Sequence, residues 1–351
     1  MPAPRRSGLL LALLSLALVA PSWGCGGGGG DGGIDPASGP LSLSTFQPAA
    51  LVLGQPGFGS SAPNQGGATG AGTLSYPTGI SGGSLWVCDA LNNRVLRFAA
   101  PLSSSVPDLV VGQPDFASSL PALSAIGLAS PIGVCARGGM LAVSDFQNNR
   151  VLVWNPAPTT SGAQASVVVG QGDFISKGGG TSAFQVAQPE GVLIVDGKLV
   201  VCDPFNNRVL IWNAVPGNNG APADIALGQP NTSTTGTGSG AGQMNEPRYA
   251  WSDGTRLVVT ESDNNRALVW NTFPVASGQP ADFVLGQPGF NMSGSGTSAS
   301  AFTAPSGVDS DGTRLVISDL GNSRVLVWNT FPTSSGQPAD VVLGQGDFVH
   351  G

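Results

Sequence analysis

The chain holds a single histidine, His350, at the edge of its C-terminus. That scarcity excludes nucleophile–histidine pairs and His-ligated zinc centres as the basis of an activity. Charge is also thin: Asp, Glu, Lys and Arg make up 10% of 351 residues, with a formal net charge of −7. An acidic surface repels phosphate backbones, so nucleic acid is not an expected partner. No Walker loop is present. Cysteine is limited to Cys25, Cys88, Cys135 and Cys202. With Cys25 set aside, the remaining number is odd, so no complete disulfide framework is expected. Cys88 and Cys202 stand just before Asp89 and Asp203, and all three later cysteines read as small buried hydrophobes.

Long apolar runs are missing as well. The apolar stretch at residues 9–20 follows Arg5 and Arg6. It is too short to span a bilayer comfortably and fits the hydrophobic region of a signal peptide. Cys25 follows Ser22-Trp23-Gly24, an imperfect version of a bacterial lipoprotein cleavage box, and precedes a glycine run. A glycine-rich leash after an acylated cysteine suits an anchored domain that must stand clear of a membrane. The expected organisation is therefore a signal peptide at 1–24, a tether at 25–45 with Cys25 as lipidation site, and one folded unit at 46–351. The expected location is the cell envelope, lipid-anchored, or otherwise secreted.

Against those absences stand 53 glycines, 28 prolines and 41% hydrophobic residues. That mixture points to many short strands and many turns around a sizeable core. Gly-Gln recurs at Gly54, Gly112, Gly170, Gly228, Gly286 and Gly344, each step 58 residues and each after an apolar run. A second motif opens at Asp89, Asp145, Asp203, Glu261 and Asp319. It continues through Asn-Asn-Arg, or Asn-Ser-Arg in the last copy, and an aromatic follows at Phe98, Trp154, Trp212, Trp270 or Trp328. A third motif, Pro-x-Gly, begins at Pro77, Pro131, Pro189 and Pro305, with Pro247 followed by Arg248-Tyr249 instead. Asp-x-x-Asn-Asn is turn chemistry, and Asp253-Gly254 and Asp311-Gly312 are hairpin signals. Each repeat thus reads as four strands. Periodic four-stranded units predict an all-β fold, a β-propeller of antiparallel blades. Six Gly-Gln strands against five sets of the other three leave the count at five blades, with six as the alternative. In the five-bladed reading, the segment at 47–55 closes the ring beside the last blade.

The stretch Pro-Ser-Gly-Val-Asp…Leu-Val-Ile-Ser-Asp-Leu-Gly-Asn-Ser-Arg-Val-Leu-Val-Trp at 305–328 resembles an NHL repeat. The family pattern is Pro-x-Gly-Ile-Ala-Val…Val-Ala-Asp-x-x-Asn-Asn-Arg-Ile-x-x-Phe. Five copies in register cover roughly 75–348, with repeats longer than the family's and the excess in loops such as 173–188. The resemblance implies a propeller. It also brings lyase relatives whose chemistry needs histidines that this chain lacks, and RNA-binding relatives whose basic face an acidic chain does not offer. Lactonase-type propellers bind calcium through carboxylates and Asn, so Ca2+ is the one cofactor kept open; none is otherwise expected.

The recurring Asp, Asn, Arg and Trp read as structural, because a site is needed once and these residues recur in every copy. Function is sought where copies differ. In a propeller, the residue after each repeat Pro and the loop between second and third strands share one face. This nominates Thr78, Ile132, Glu190, Arg248 and Ser306, together with Leu91, Phe146, Phe205, Asp263 and Leu320. The fourth copy diverges most, so Glu190, Arg248, Tyr249 and Glu261 are the candidate ligand-binding residues. No catalytic or metal-binding residue is nominated. The expected function is a binding scaffold for protein, peptide or glycan. The alternative is a hydrolase or lyase with a carboxylate-bound calcium in the central channel.

Overall fold

The structure, a computed structural model, describes residues 49, 51–99 and 105–350. The expected signal peptide, the tether and Cys25 lie outside the described residues. Strand-forming runs of Val, Leu and Ile alternate with Gly, Pro, Asn and Asp turns, and the chain folds accordingly into five four-stranded antiparallel sheets. Within each sheet the strands neighbour one another in chain order. Blade 1 comprises Pro77–Ser81, Leu85–Asp89, Arg94–Phe98 and Leu109–Val111. Blades 2 to 5 follow at 131–169, 192–227, 247–285 and 305–343. The first strands of successive blades pack against one another around the centre. The molecule is a five-bladed β-propeller, and the six-bladed alternative is not formed.

Period-2 alternation gives each blade two apolar faces. Val134, Val143, Leu152 and Val168 of blade 2 pack on Cys88, Val95, Leu109 and Val111 of blade 1. The seams between blades 2 and 3, 3 and 4, and 4 and 5 are likewise continuous cores. Cys88, Cys135 and Cys202 are all fully buried in these faces. Cys135 is disulfide-bonded, which corrects its reading as one of three unpaired thiols.

The repeat motif is a buried staple. In blade 3, Arg208 Nε donates to Asp203 at 2.8 Å, and Asn206 Nδ2 donates to the same carboxylate at 2.9 Å. The other guanidinium nitrogens donate to the carbonyls of Thr181, Ser182 and Gln185 in the loop before the blade and of Thr232 in the loop after it. One arginine thereby fixes two long loops to its own blade, and the other four copies repeat the pattern. The 58-residue period is tolerated because the extra loop residues are held by these charge-assisted bonds. The recurring Trp donates its indole N–H to the turn between third and fourth strands, as from Trp212 to the Ala221 carbonyl at 3.0 Å.

The second Asn of the motif is left-handed, with φ of 53° at Asn93 and 50° at Asn265. Its side-chain oxygen accepts the amide of the residue before the repeat Pro in the next blade. The pairs are Asn93 to Ser130, Asn149 to Gln188, Asn207 to Glu246 and Asn265 to Ala304. Blade 5 carries Ser323 at this position. The first-strand glycines Gly79, Gly133 and Gly191 each lie against the backbone of the next blade's first strand, where a Cβ would collide. Gly307 of blade 5 meets only its own blade's Ser318. The facing cores of blades 5 and 1 stay separate, with Val327, Val341 and Leu343 on one side and Val87, Leu96, Phe98 and Val110 on the other. The last seam is therefore not packed like the other four. The segment at 51–55 does not pair with the last blade, which corrects the expected closure; Leu51 and Leu53 pack on blade 1.

Candidate ligand site at the channel mouth

The first strand of blade 4, Pro247–Ser252, places Arg248 and Tyr249 at the centre of one face. Arg248 Nη1 donates to Glu190 Oε1 of blade 3, and Nη2 donates to Glu246 Oε2 at 2.7 Å. Its Nε donates to Ser262 Oγ at 3.1 Å, and that hydroxyl donates to Glu246 Oε2 at 3.0 Å. Burial works against the Arg248 charge, yet the Glu190 and Glu246 carboxylates together hold the guanidinium above its ordinary pKa. Tyr249 extends across the centre, and its hydroxyl donates to the Ile132 carbonyl of blade 2 at 3.2 Å. Burial, reinforced by Glu190, pushes the phenol well above its usual range, so it stays neutral and acts as a donor.

Three of the four nominated residues, Glu190, Arg248 and Tyr249, therefore converge. Glu261 does not join them. It is fully buried and pairs with Arg266 as the fourth copy of the staple, taking the place that Asp holds elsewhere. Its extra methylene is accommodated within that buried pair, so its divergence is structural. Glu246 and Ser262 were missed by sequence reasoning. Glu246 precedes Pro247, a position that is left-handed in all five copies, at Tyr76, Ser130, Gln188, Glu246 and Ala304. That position lies two residues before those chosen, so the repeat alignment could have found it.

Beside this polar cluster lies a cavity of about 280 Å³ lined by Tyr76, Leu91, Ile132, Phe146, Gln147 and Glu190, among others. Tyr76 is 61% exposed, Leu91 59% and Phe205 56%; Leu320 is 38% exposed on the same face. Phe146 and Phe205 stack edge to face at 6.4 Å. The loops between second and third strands thus present an apolar crown around a charged floor. Among the described residues, no group of three or more His, Cys, Asp or Glu side chains converges to hold a metal. Cys88 and Cys202 offer no nucleophile, because burial raises both thiols above their ordinary pKa.

No protein-family model matches the chain, and no curated protein does. Solved structures resemble it distantly. A nidogen/laminin complex is 15% identical over 77% of this chain and 86% of that one, with a TM-score of 0.45. A streptogramin B lyase is 15% identical over 72% and 65%, with a TM-score of 0.41. Virginiamycin B lyase from Staphylococcus aureus is 11% identical over 74% and 73%, with a TM-score of 0.40. Likenesses this distant carry no argument about what the chain does.

Proposed function

We propose that this is a non-enzymatic binding protein of the NHL-like propeller type, acting at the cell envelope. It engages a peptide segment of a partner protein through its channel-mouth face. The observation that carries the reading is the exposed crown of Tyr76, Leu91, Phe205 and Leu320 around Glu190, Glu246 and Arg248. Exposed aromatic and aliphatic side chains gathered at a concave mouth favour ligand contact over folding. Asp263, Glu190 and Glu246 outnumber Arg248 there, which suits a basic peptide over an acidic one. The leader-like segment at 1–24 supports export.

The metal-dependent alternative draws less support. Glu190 and Glu246 are both engaged by Arg248, so a calcium ion at this mouth would have to displace a guanidinium. The test is a peptide array probed with the wild-type protein and with a Leu91→Ser/Phe205→Ser variant. Basic, aromatic-containing peptides are expected to bind the wild type and to lose at least tenfold in affinity for the variant. Peptide hits that bind both proteins equally would remove this face from consideration.

A further inference from the structure

The channel mouth divides by chemistry. The first two repeats supply Tyr76, Ala90, Leu91, Ile132 and Phe146, which line the cavity of about 280 Å³. The third and fourth supply Glu190, Glu246, Arg248 and Ser262, joined in one network of ion pairs and hydrogen bonds. Glu190 belongs to both halves: it lines the cavity, and its Oε1 accepts from Arg248.

This combination arises at one place in the ring. The residue after the repeat Pro is Thr78, Ile132, Glu190, Arg248 or Ser306, so the carboxylate of the five is Glu190. The residue before the Pro is Tyr76, Ser130, Gln188, Glu246 or Ala304, so the aromatic is Tyr76. One repeat further on, Ser130 and Arg248 stand in the places of Tyr76 and Glu190, which removes the aromatic and inverts the charge.

The cavity wall is fixed before any ligand arrives. Tyr249 takes the place that Gly79, Gly133, Gly191 and Gly307 hold in the other copies, and it reaches across the centre to the Ile132 carbonyl. Thr78 Oγ1 donates to the same carbonyl at 3.0 Å. Phe146 is braced by the edge-to-face contact with Phe205. A ligand entering here orders little that is not already ordered, which favours binding.

The size and lining of the cavity select its occupant. Sites that enclose a whole small ligand run to about 300–1,000 Å³, so this one suits a single long side chain. Leu91, Ile132 and Phe146 favour methylenes, and the rings of Tyr76 and Phe146 favour a cation over an anion. Glu190, Glu246 and Asp263 all act on Arg248, and three carboxylates against one guanidinium leave the mouth negative. An acidic side chain is repelled there, and a purely aliphatic one leaves the Glu190 wall unmatched.

We propose that this cavity is the anchor pocket of the mouth and takes one long cationic side chain, lysine or arginine, from the bound segment. The methylenes lie against Leu91, Ile132 and Phe146, and the charged head points to Glu190. Arg248 keeps its ion pairs, because carboxylate oxygens accept more than one hydrogen bond. The proposal rests on the peptide-binding reading and narrows it to the residue type that the peptide must carry.

The chain holds two tyrosines, Tyr76 and Tyr249, and both lie at the mouth. Fluorotyrosine incorporated into the full chain therefore gives two fluorine NMR signals, one at the lip of the pocket and one at the axis, assigned with Tyr76→Phe. The probes are the N-acetyl methylamides of lysine, of norleucine, which keeps the stem without the charge, and of diaminobutyrate, which keeps the charge on half the stem. The lysine amide is expected to shift the Tyr76 signal saturably. The norleucine amide is expected to bind at least tenfold more weakly for want of a charge-assisted bond, and the diaminobutyrate amide about tenfold more weakly for want of two buried methylenes. Glu190→Gln is expected to weaken the lysine amide about tenfold and to leave the norleucine amide unchanged. Leu91→Ser, at an exposed position, is expected to weaken both. The proposal is overturned if the lysine amide gives no saturable shift, if it binds no better than the norleucine amide, or if it shifts Tyr249 alone, which would put the cation at the axis. Array peptides that lose affinity for the Leu91→Ser/Phe205→Ser variant, yet bind as well with their lysines and arginines replaced, would also overturn it while leaving the peptide-binding reading in place. A saturable lysine-amide shift with no such peptides would keep the pocket and remove that reading.

Discussion

Gly191→Ala and Gly307→Ala place the same methyl group at the same repeat position in two blades, and the structure assigns them opposite outcomes. A Cβ at Gly191 would stand 2.8 Å from both the Arg248 carbonyl oxygen and Tyr249 Cα, and 3.2 Å from Cys202 Sγ. Two of these atoms are backbone of the next blade and cannot swing aside. Blades 3 and 4 would have to part by about 0.5–1 Å to reach ordinary contact distances. That movement stretches the 2.8 Å bond from the Gly191 amide to the Arg248 carbonyl. Overpacking of about 1–3 kcal/mol plus about 1 kcal/mol for the bond gives a loss of about 2–4 kcal/mol. In a domain of about 300 residues this lowers Tm by about 3–6 °C. A Cβ at Gly307 would meet only Ser318 Oγ at 3.1 Å, a rotatable group. Neither glycine is left-handed, so alanine is sterically allowed, and its effect at 307 is expected within about 0.5 kcal/mol of zero. Urea unfolding followed by tryptophan fluorescence measures both. Equal destabilisation of the two variants would refute the account, because it would mean that blade 5 abuts blade 1 as blade 3 abuts blade 4.

Further outcomes follow from the same contacts. Arg208→Ala leaves the buried Asp203 carboxylate and four loop carbonyls without their donor, and is expected to cost about 3–5 kcal/mol by denaturant unfolding. Asn207→Ser removes the bond to the Glu246 amide and is expected to cost about 1–2 kcal/mol, while Ser323→Asn, facing the last seam, is expected to gain nothing in thermal melts. Burial, with a smaller push from Asp311, lifts the Asp309 carboxyl to about 6 against the pull of the Ser310 amide. A folded-state value above the unfolded one means that stability is greatest at low pH and falls as pH rises from about 4 to 6, by about 2 kcal/mol at most. Asp309→Asn is expected to reduce that slope in melts recorded between pH 4 and 7, leaving the part that comes from Glu261, which burial also lifts to about 6. Tyr249→Phe removes the bond to Ile132 and is expected to cost about 1 kcal/mol without changing the number of blades, as read by far-UV circular dichroism and unfolding.

The blades were legible because their signals are local and redundant. Asp-x-x-Asn-Asn-Arg, Pro-x-Gly and Gly-Gln each set a turn or a close approach, and five copies in register leave one architecture. The staple's partners were half legible. Sequence shows that Asp203 and Arg208 recur together, but not that Arg208 spends its remaining N–H groups on the loops before and after its own blade. The channel mouth was legible as a face and not as a network. Glu190, Arg248 and Tyr249 differ from their repeat counterparts, and the structure brings these three together. Glu261 also differs but lies apart from them, because its longer carboxylate serves the buried Arg266 as Asp does in the other copies. Sequence reasoning passed over Glu246, which completes the Arg248 cluster from the position before the proline.

What the structure adds most is the meaning of a small departure. Asn-Asn-Arg becomes Asn-Ser-Arg only in the fifth copy, and by sequence that change is conservative. In the fold, the second Asn is the residue that ties one blade to the next, through the amide that precedes the following proline. Serine is too short to repeat that bond. The same blade also carries a carboxylate, Asp309, on the face where the others place Ser81, Cys135, Leu193 and Trp251. The two departures fall on one surface, which is also the surface whose valines are left partly exposed. Drift would scatter such changes over a copy, whereas a surface that meets no fellow blade of the repeat would concentrate them. The fifth blade's outer face is thus the second place, after the channel mouth, where the chain departs from its own pattern in a coherent patch.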